Sequence, residues 1–349
     1  MTPTPRLRSD PERPVDALAR ARDMEAEGRV AEAIELLTEV NARRRNAKVE
    51  RELVNLRHRA FAVAERAPGF PTWPVDTPDL FGPLETPPEL PAADLTVERV
   101  RSAIVNHGCL IARDLIPRDR IEQLCADIDN SLDAAKAHID GASTPESQRW
   151  WVPFKPTAEY SVGGGRQWIW DQGSVWAVDS PRSLFDLVDT FREIGLDGVI
   201  AGYLGETPAL SVKKCTLRRV PASTGTNWHQ DGAFLGRGIR TLNVWVALSP
   251  CGDDSPSLDV VPKRMDRIVE TGTDGALFDW SVGEGAVDRA RDDLAVVRPR
   301  FEAGDAMLFD EMFLHRTGVS PDMTRDRYTI EAWFFAPSSY PEAQIPIVF

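Results

Sequence analysis

Arg327-Tyr328-Thr329-Ile330-Glu331-Ala332-Trp333-Phe334 alternates strictly, and its alternation decides the fold. Tyr328, Ile330, Ala332 and Phe334 are apolar and suit packing beneath covering helices, while Arg327, Thr329, Glu331 and Trp333 share the other face. Thr241–Ser249 repeats the pattern: Leu242, Val244, Val246 and Leu248 form one face, Asn243 and Trp245 the other. Strands with an apolar back and a polar front, inside a large domain, fit either a half-exposed antiparallel sheet or, the reading favoured here, a barrel whose lumen holds a polar ligand.

Outward from this stretch the period stays near two. Leu210–Val220, Asn227–Phe234, Leu258–Val261, Ala295–Phe301 and Ala306–Phe309 read as further strands, separated by turn residues such as Pro250, Pro262 and Gly304-Asp305. Few helical patterns interrupt them, which points to an antiparallel double-sheet barrel rather than a βαβ sheet. The fold expected is mainly β with flanking helices: an antiparallel double-sheet barrel core with an N-terminal helical appendage.

Within this region, His229-Gln230-Asp231 is followed much later by His315. His-x-Asp alone is weak, because so short a pattern arises by chance. On adjacent strands, however, two imidazoles and a carboxylate can occupy one face of an octahedral iron(II) and leave the opposite face open. His229, Asp231 and His315 are therefore the candidate metal ligands and catalytic residues.

Trp228-His229-Gln230-Asp231, Val244-Trp245-Val246-Ala247-Leu248 and Gly304-Asp305-Ala306-Met307-Leu308-Phe309 leading to His315 together resemble the phytanoyl-CoA dioxygenase family. The resemblance spans roughly residues 95–337 and is strongest over 227–335. It implies a jelly-roll, or double-stranded β-helix, core and an iron(II)- and 2-oxoglutarate-dependent dioxygenase that uses O2, hydroxylates a C–H bond of a small-molecule substrate and releases succinate and carbon dioxide. Asp231 in the ligand position favours hydroxylation over halogenation. Alternatives are the same cofactor chemistry ending in desaturation, cyclisation or epimerisation, or a non-catalytic small-acid-binding interaction protein.

The family places an arginine at the head of the last core strand to pair with the far carboxylate of 2-oxoglutarate, a task suited to a planar, permanently charged fork. Arg327 fits the strand best, with Arg325 as the alternative. Thr317 matches the hydroxyl that contacts the same carboxylate, and Asn243 and Trp245 complete the expected co-substrate residues. Gln230, Trp168, Trp170 and Lys213 are the substrate candidates. Two stretches depart from the family: Ser257-Leu258-Asp259-Val260-Val261-Pro262-Lys263-Arg264 replaces a turn ending Pro-Gly-Ser-His, and Arg316-Thr317-Gly318-Val319-Ser320 alters the pattern after the distal histidine. Both leave the ligands intact and put the substrate in question.

The rest of the chain divides by composition. Residues 15–66 read as helices within an appendage spanning 1–67, and the stretch from Gly28 to Ile34 resembles part of a tetratricopeptide repeat, too little for a solenoid. Pro68–Pro91 holds eight prolines in 24 residues, which no helix or central strand tolerates. It predicts a linker or wrapping arm over 68–93, anchored by Phe70, Trp73 and Phe81, before an oxygenase domain over 94–349. Helices are expected at Val97–Asn106, Arg118–His138 and Phe185–Tyr203. Trp150, Trp151, Trp168, Trp170 and Trp176 around Gly163-Gly164-Gly165 read either as core or as a pocket wall. His58, His107 and His138 read as surface or capping residues. Of Lys213-Lys214 and Arg218-Arg219, alternation turns one of each pair inward.

Composition excludes several classes. The net charge of −13 argues against nucleic acid or an anionic membrane as a partner. Lysine is rare among the 41 basic residues, so scattered arginines are not read as phosphate contacts. Cys109, Cys125, Cys215 and Cys251 have no metal spacing, and no apolar leader opens the chain, so a cytoplasmic protein is expected. No apolar run is long enough to span a membrane. The N-terminal helices are candidates for a homo-oligomer or partner contact.

Overall fold

The computed structural model describes residues 13–67, 72–236 and 238–349. Ten strands are present among them: β1 Glu89–Pro91, β2 Cys109–Arg113, β3 Ser174–Trp176, β4 Ala209–Val220, β5 Thr241–Ala247, β6 Ser257–Arg264, β7 Ala306–Phe309, β8 Phe313–Gly318, β9 Arg327–Phe335 and β10 Pro346–Val348. The major sheet runs β1-β2-β7-β5-β9-β4-β10, with β3 paired to β4. Every pairing is antiparallel except β1 with β2. Opposite it, β6 pairs with β8, and single bridges extend this minor sheet from His315 to His229 and from Val260 to Val297. Two facing sheets with this connectivity form the jelly roll.

The alternation in β5 and β9 sorts the core into two parts. Leu242, Val244, Val246, Ile330, Ala332 and Phe334 share one cluster with Leu184, Leu187 and Phe191 of the helix Pro181–Glu193. Trp245, Met307, Phe309, Trp333 and Phe335 belong to a second, interior cluster with Leu258 and Val260 of the minor sheet. A one-residue slip of β9 would exchange these faces, so the register is tightly specified.

Four segments differ from the reading of the sequence. Phe313–Gly318, which lacks a clean alternation, is a full strand and carries His315. Asn227–Phe234 and Ala295–Phe301 are reduced to isolated bridges, and a short helix Gly232–Leu235 begins directly after Asp231. The expected helix Phe185–Tyr203 is two, Pro181–Glu193 and Leu196–Leu204, broken where Gly195 takes a left-handed φ of 72°.

The N-terminal helices Pro14–Ala26, Val30–Arg43 and Ala47–Ala60 bury Ala21, Leu37 and Leu53 within the same cluster as the outer face of the major sheet. Arg182 donates to Glu50, and Arg45 pairs with Asp186 and Asp189, tying these helices to Pro181–Glu193. Correcting the expectation of a surface residue, His58 is buried: its ring meets the Pro346 carbonyl at 2.7 Å and Thr157 Oγ1 at 2.9 Å. His107 is also buried, with Nε2 2.9 Å from Asp79 Oδ1. His138 lies on the surface.

The proline-rich stretch lies along the helix Val97–His107. Ser102 accepts from Leu80 N and donates to the Pro78 carbonyl, while Trp73 packs edge-on against Tyr203 and Phe81 against His107. Phe70 falls outside the described residues. No helix among the described residues is long and apolar enough to cross a membrane.

Candidate active site

His229 and His315 face each other across the minor sheet through a reciprocal backbone pair, His229 N to His315 O at 2.9 Å and His315 N to His229 O at 3.1 Å. This close pairing sets their ring centroids 4.4 Å apart. Asp231 follows where the chain turns into its short helix. Its Oδ2 lies 4.0 Å from His229 Nε2 and 3.7 Å from His315 Nε2. One ligand atom from each of the three residues falls within 4.8 Å of the others, a spacing that can hold a metal ion.

The second nitrogen of each ring faces a backbone carbonyl. His229 Nδ1 is 2.8 Å from Asn227 O, and His315 Nδ1 is 3.0 Å from Phe313 O. A carbonyl can only accept, so each Nδ1 carries the proton and each Nε2 lone pair points inward. Burial, with His229 alongside, pushes the His315 imidazole down to about 4, so the ring is neutral and free to ligate near neutral pH. Burial alone would raise the Asp231 carboxyl, but the ammonium of Lys214 and the two imidazoles outweigh it and hold the group below its usual range.

The cavity in front of these groups has a volume of about 460 Å³. Asn243, Trp245, Thr317 and Glu331 line it beside the two histidines. Arg327 is fully buried at the head of β9, with its guanidinium carbon 5.2 Å from the Trp245 ring centroid. Nη1 donates to the carbonyls of Pro256 and Ser257, both at 3.2 Å, but Nε and Nη2 have no partner. Asn243 Oδ1 and Thr329 Oγ1 are likewise buried without partners. Buried donors are costly to leave unmade, and a cation costs more. Burial, then the charge of Arg218, lowers the Arg327 guanidinium to about 10. Arg325 is on the surface and pairs with Asp254 at 3.4 Å.

The substrate candidates are distributed differently from the expectation. Trp168 lines the cavity, but Trp170 does not; its ring packs 5.7 Å from the buried Trp151. Gln230 is fully buried away from the cavity. Its amide donates to the carbonyls of Arg267 and Met312 and accepts from Val269 N, pinning the loop after β6. Lys213 borders the cavity, yet its ammonium is bonded to the Ala343 carbonyl. The inward lysine is Lys214, whose Nζ is 2.5 Å from Asp231 Oδ1. Inward too is Arg218, paired with Glu331 Oε2 at 3.2 Å. Phe234, at the end of the expected strand Asn227–Phe234, also lines the cavity, as do Phe278 and Trp280, which no strand or helix pattern singles out. The available signal for the last two is a pair of rings, Phe278 and Trp280, between glycines in a stretch without strand or helix periodicity.

The two departures from the family pattern meet one another. Asp259 stands opposite Arg316 in the β6–β8 register and accepts from both Arg316 and Arg298. Their neighbours Leu258 and Thr317 face the cavity instead, as alternation requires. Gly318 has no side chain because the Asp259 carboxylate occupies that space.

Comparison with known proteins gives one family match: the phytanoyl-CoA dioxygenase (PhyH) family, over residues 186–325. No curated protein matches the chain. Among solved structures, EctD from S. alaskensis, with 2-oxoglutarate and 5-hydroxyectoine, has a TM-score of 0.48 at 18% identity, covering 78% of this chain and 88% of that one. AviO1 from Streptomyces viridochromogenes Tue57 scores 0.42 at 18% identity, covering 70% and 96%. EvdO2 from Micromonospora carbonacea var. aurantiaca, complexed with 2-oxoglutarate, scores 0.44 at 15% identity, covering 68% and 90%.

Proposed function

We propose that this chain, which belongs over residues 186–325 to the phytanoyl-CoA dioxygenase family, is an iron(II)- and 2-oxoglutarate-dependent dioxygenase that hydroxylates a C–H bond of a small molecule. The observation that carries this reading is the His229–Asp231–His315 donor set at one cavity together with buried Arg327, which stacks on the cavity residue Trp245 and has two unpartnered nitrogens. Two imidazoles and one carboxylate suit iron(II) and leave an open face. Arg327 suits a carboxylate, which would satisfy the nitrogens the protein leaves bare.

Iron(II) with 2-oxoglutarate and O2 supplies the oxidising power, giving succinate and carbon dioxide with the hydroxylated product. The protein's own residues do the rest. His229 and His315 present fixed lone pairs because the Asn227 and Phe313 carbonyls set their tautomers. Arg327, with Thr317 nearby in the cavity wall, holds the far carboxylate, and Asn243 and Trp245 flank the co-substrate. Trp245, Leu258 and Phe309 keep that end dry, which strengthens the ionic contact. The four cysteines are free thiols, which suits a cytoplasmic location.

The test is to incubate the full chain with iron(II), 2-oxoglutarate and O2 and to measure succinate. Slow, iron-dependent succinate formation is expected even without substrate. With a substrate found by screening, the product should gain the mass of one oxygen. A folded protein that neither binds nor consumes 2-oxoglutarate would exclude the reading.

A further inference from the structure

We propose that the cavity in front of His229 takes a flat, multi-ring aromatic substrate, held between the loop bearing Phe278 and Trp280 and the short helix bearing Trp168; this rests on reading the site as an oxygenase.

Large apolar side chains exposed singly are ordinary, but several around one concave site mark a binding surface. Trp168 is 56% exposed, Phe278 51% and Phe234 40%, and all three line the same cavity. The rings form a continuous wall from the metal ligand outward. Phe234 is inclined by 27° to the His229 ring at 6.5 Å, and Trp280 stands edge-on to both, 5.8 Å from His229 and 5.9 Å from Phe234. Phe278 then stacks on Trp280 at 5.2 Å with an interplanar angle of 3°.

The wall is held in place by the segment that carries His229 and Asp231. Val282 N donates to the Trp228 carbonyl at 2.8 Å, fixing the far stem of the loop. The Gln230 amide binds Arg267 and Val269 on the near stem. Within the loop, Ser281 and Phe278 bond reciprocally, from Phe278 N to Ser281 Oγ at 3.0 Å and from Ser281 N to Phe278 O at 3.0 Å. Residues on both sides of His229 therefore position the rings relative to the metal.

Charge and shape then narrow the substrate. Lys214 is committed to Asp231 and Arg218 to Glu331; among the described lining residues this leaves Lys213, whose ammonium binds the Ala343 carbonyl, as the cation without a carboxylate partner, so the wall offers rings far more than charge. Among the lining residues the purely aliphatic ones are Ile169 and Leu258. Ring-lined walls favour planar π-systems through offset and edge-to-face contacts that an alkyl chain cannot reproduce.

The test uses the full chain and two probes with equal carbon number and one hydroxyl each, β-naphthol and n-decanol, titrated by calorimetry. β-Naphthol should bind at least about tenfold more tightly. Phe278→Leu and Trp280→Leu keep apolar bulk but remove a ring, and each should erase most of that preference while thermal unfolding stays near wild type. Equal or tighter binding of n-decanol, or unchanged naphthol binding in both variants, would overturn the proposal. Binding of 2-oxoglutarate with iron(II) is read separately on the same protein. Selective naphthol binding without it would leave the aromatic pocket standing and remove the oxygenase reading; the reverse result would remove only the pocket.

Discussion

Lys214 Nζ lies 2.5 Å from Asp231 Oδ1, while Oδ2 of the same carboxylate is turned toward both imidazoles. The ammonium also sits over the rings of Phe234 and Trp333, at 4.8 and 5.5 Å, so its position is fixed by packing. One carboxylate oxygen is thereby engaged and one is left to ligate.

Lys214→Met should release Oδ1 to compete for a coordination position that the co-substrate needs. Metal binding is expected to persist, while the affinity for 2-oxoglutarate falls by about tenfold, in the range seen when groups orienting metal ligands are lost. Equilibrium titration of metal and co-substrate separately checks this. An unchanged co-substrate affinity would show that Lys214 serves only to balance charge.

His229→Ala, Asp231→Ala and His315→Ala should each abolish turnover and weaken iron(II) binding. All three groups serve one coordination site, so the double variants should be no worse than the singles. Succinate release and iron content decide the matter, and full activity in any one variant would remove that residue from the site.

Arg327→Ala should raise the 2-oxoglutarate requirement steeply while sparing iron. Leaving a buried carboxylate without its partner costs on the order of 3–5 kcal/mol. Arg325→Ala, on the surface beside Asp254, should change the requirement less than about twofold. The stability readout is independent: 2-oxoglutarate should raise the melting temperature of the wild type but not of Arg327→Ala.

Asp127 is buried beside Asp186 where the helix Arg118–Ile139 meets Pro181–Glu193. Burial, then the charge of Asp186, pushes its carboxyl up to about 7. A carboxyl raised in the folded state stabilises below its unfolded value near 4, and that contribution is lost as pH rises through about 7. Asp127→Asn removes the ionisation, so its melting temperature relative to wild type should improve by a few degrees between pH 5 and pH 8. A constant difference across that range would mean that Asp127 does not titrate there.

Much of this architecture is legible in the sequence because β5 and β9 are buried on both faces by chemically different neighbours. Ile330 and Phe334 must meet helices, while Glu331 and Trp333 must meet the lumen, and strict alternation records both demands. Phe313–Gly318 was not readable in this way, because His315, Arg316 and Thr317 answer to a metal site, a salt-bridge network and the cavity rather than to a simple core. Helical periodicity shows which face is buried but not that a carbonyl waits there for His58, and a turn before Gly108 does not show that the Asp79 carboxylate meets His107. The choice between Lys213 and Lys214 depended on register, which β4 shifts between Leu210 and Cys215. Phe278 and Trp280 lie on a loop, where no periodicity exists to place a ring over a distant histidine.

The most direct test of the central claim is the visible spectrum of the full chain after anaerobic addition of iron(II) and 2-oxoglutarate. A competent site chelates the keto acid on iron and develops a weak charge-transfer band, which should appear in the wild type, be absent in Asp231→Ala and require far more 2-oxoglutarate in Arg327→Ala. A folded wild-type protein that shows no band at saturating iron and 2-oxoglutarate would contradict the account.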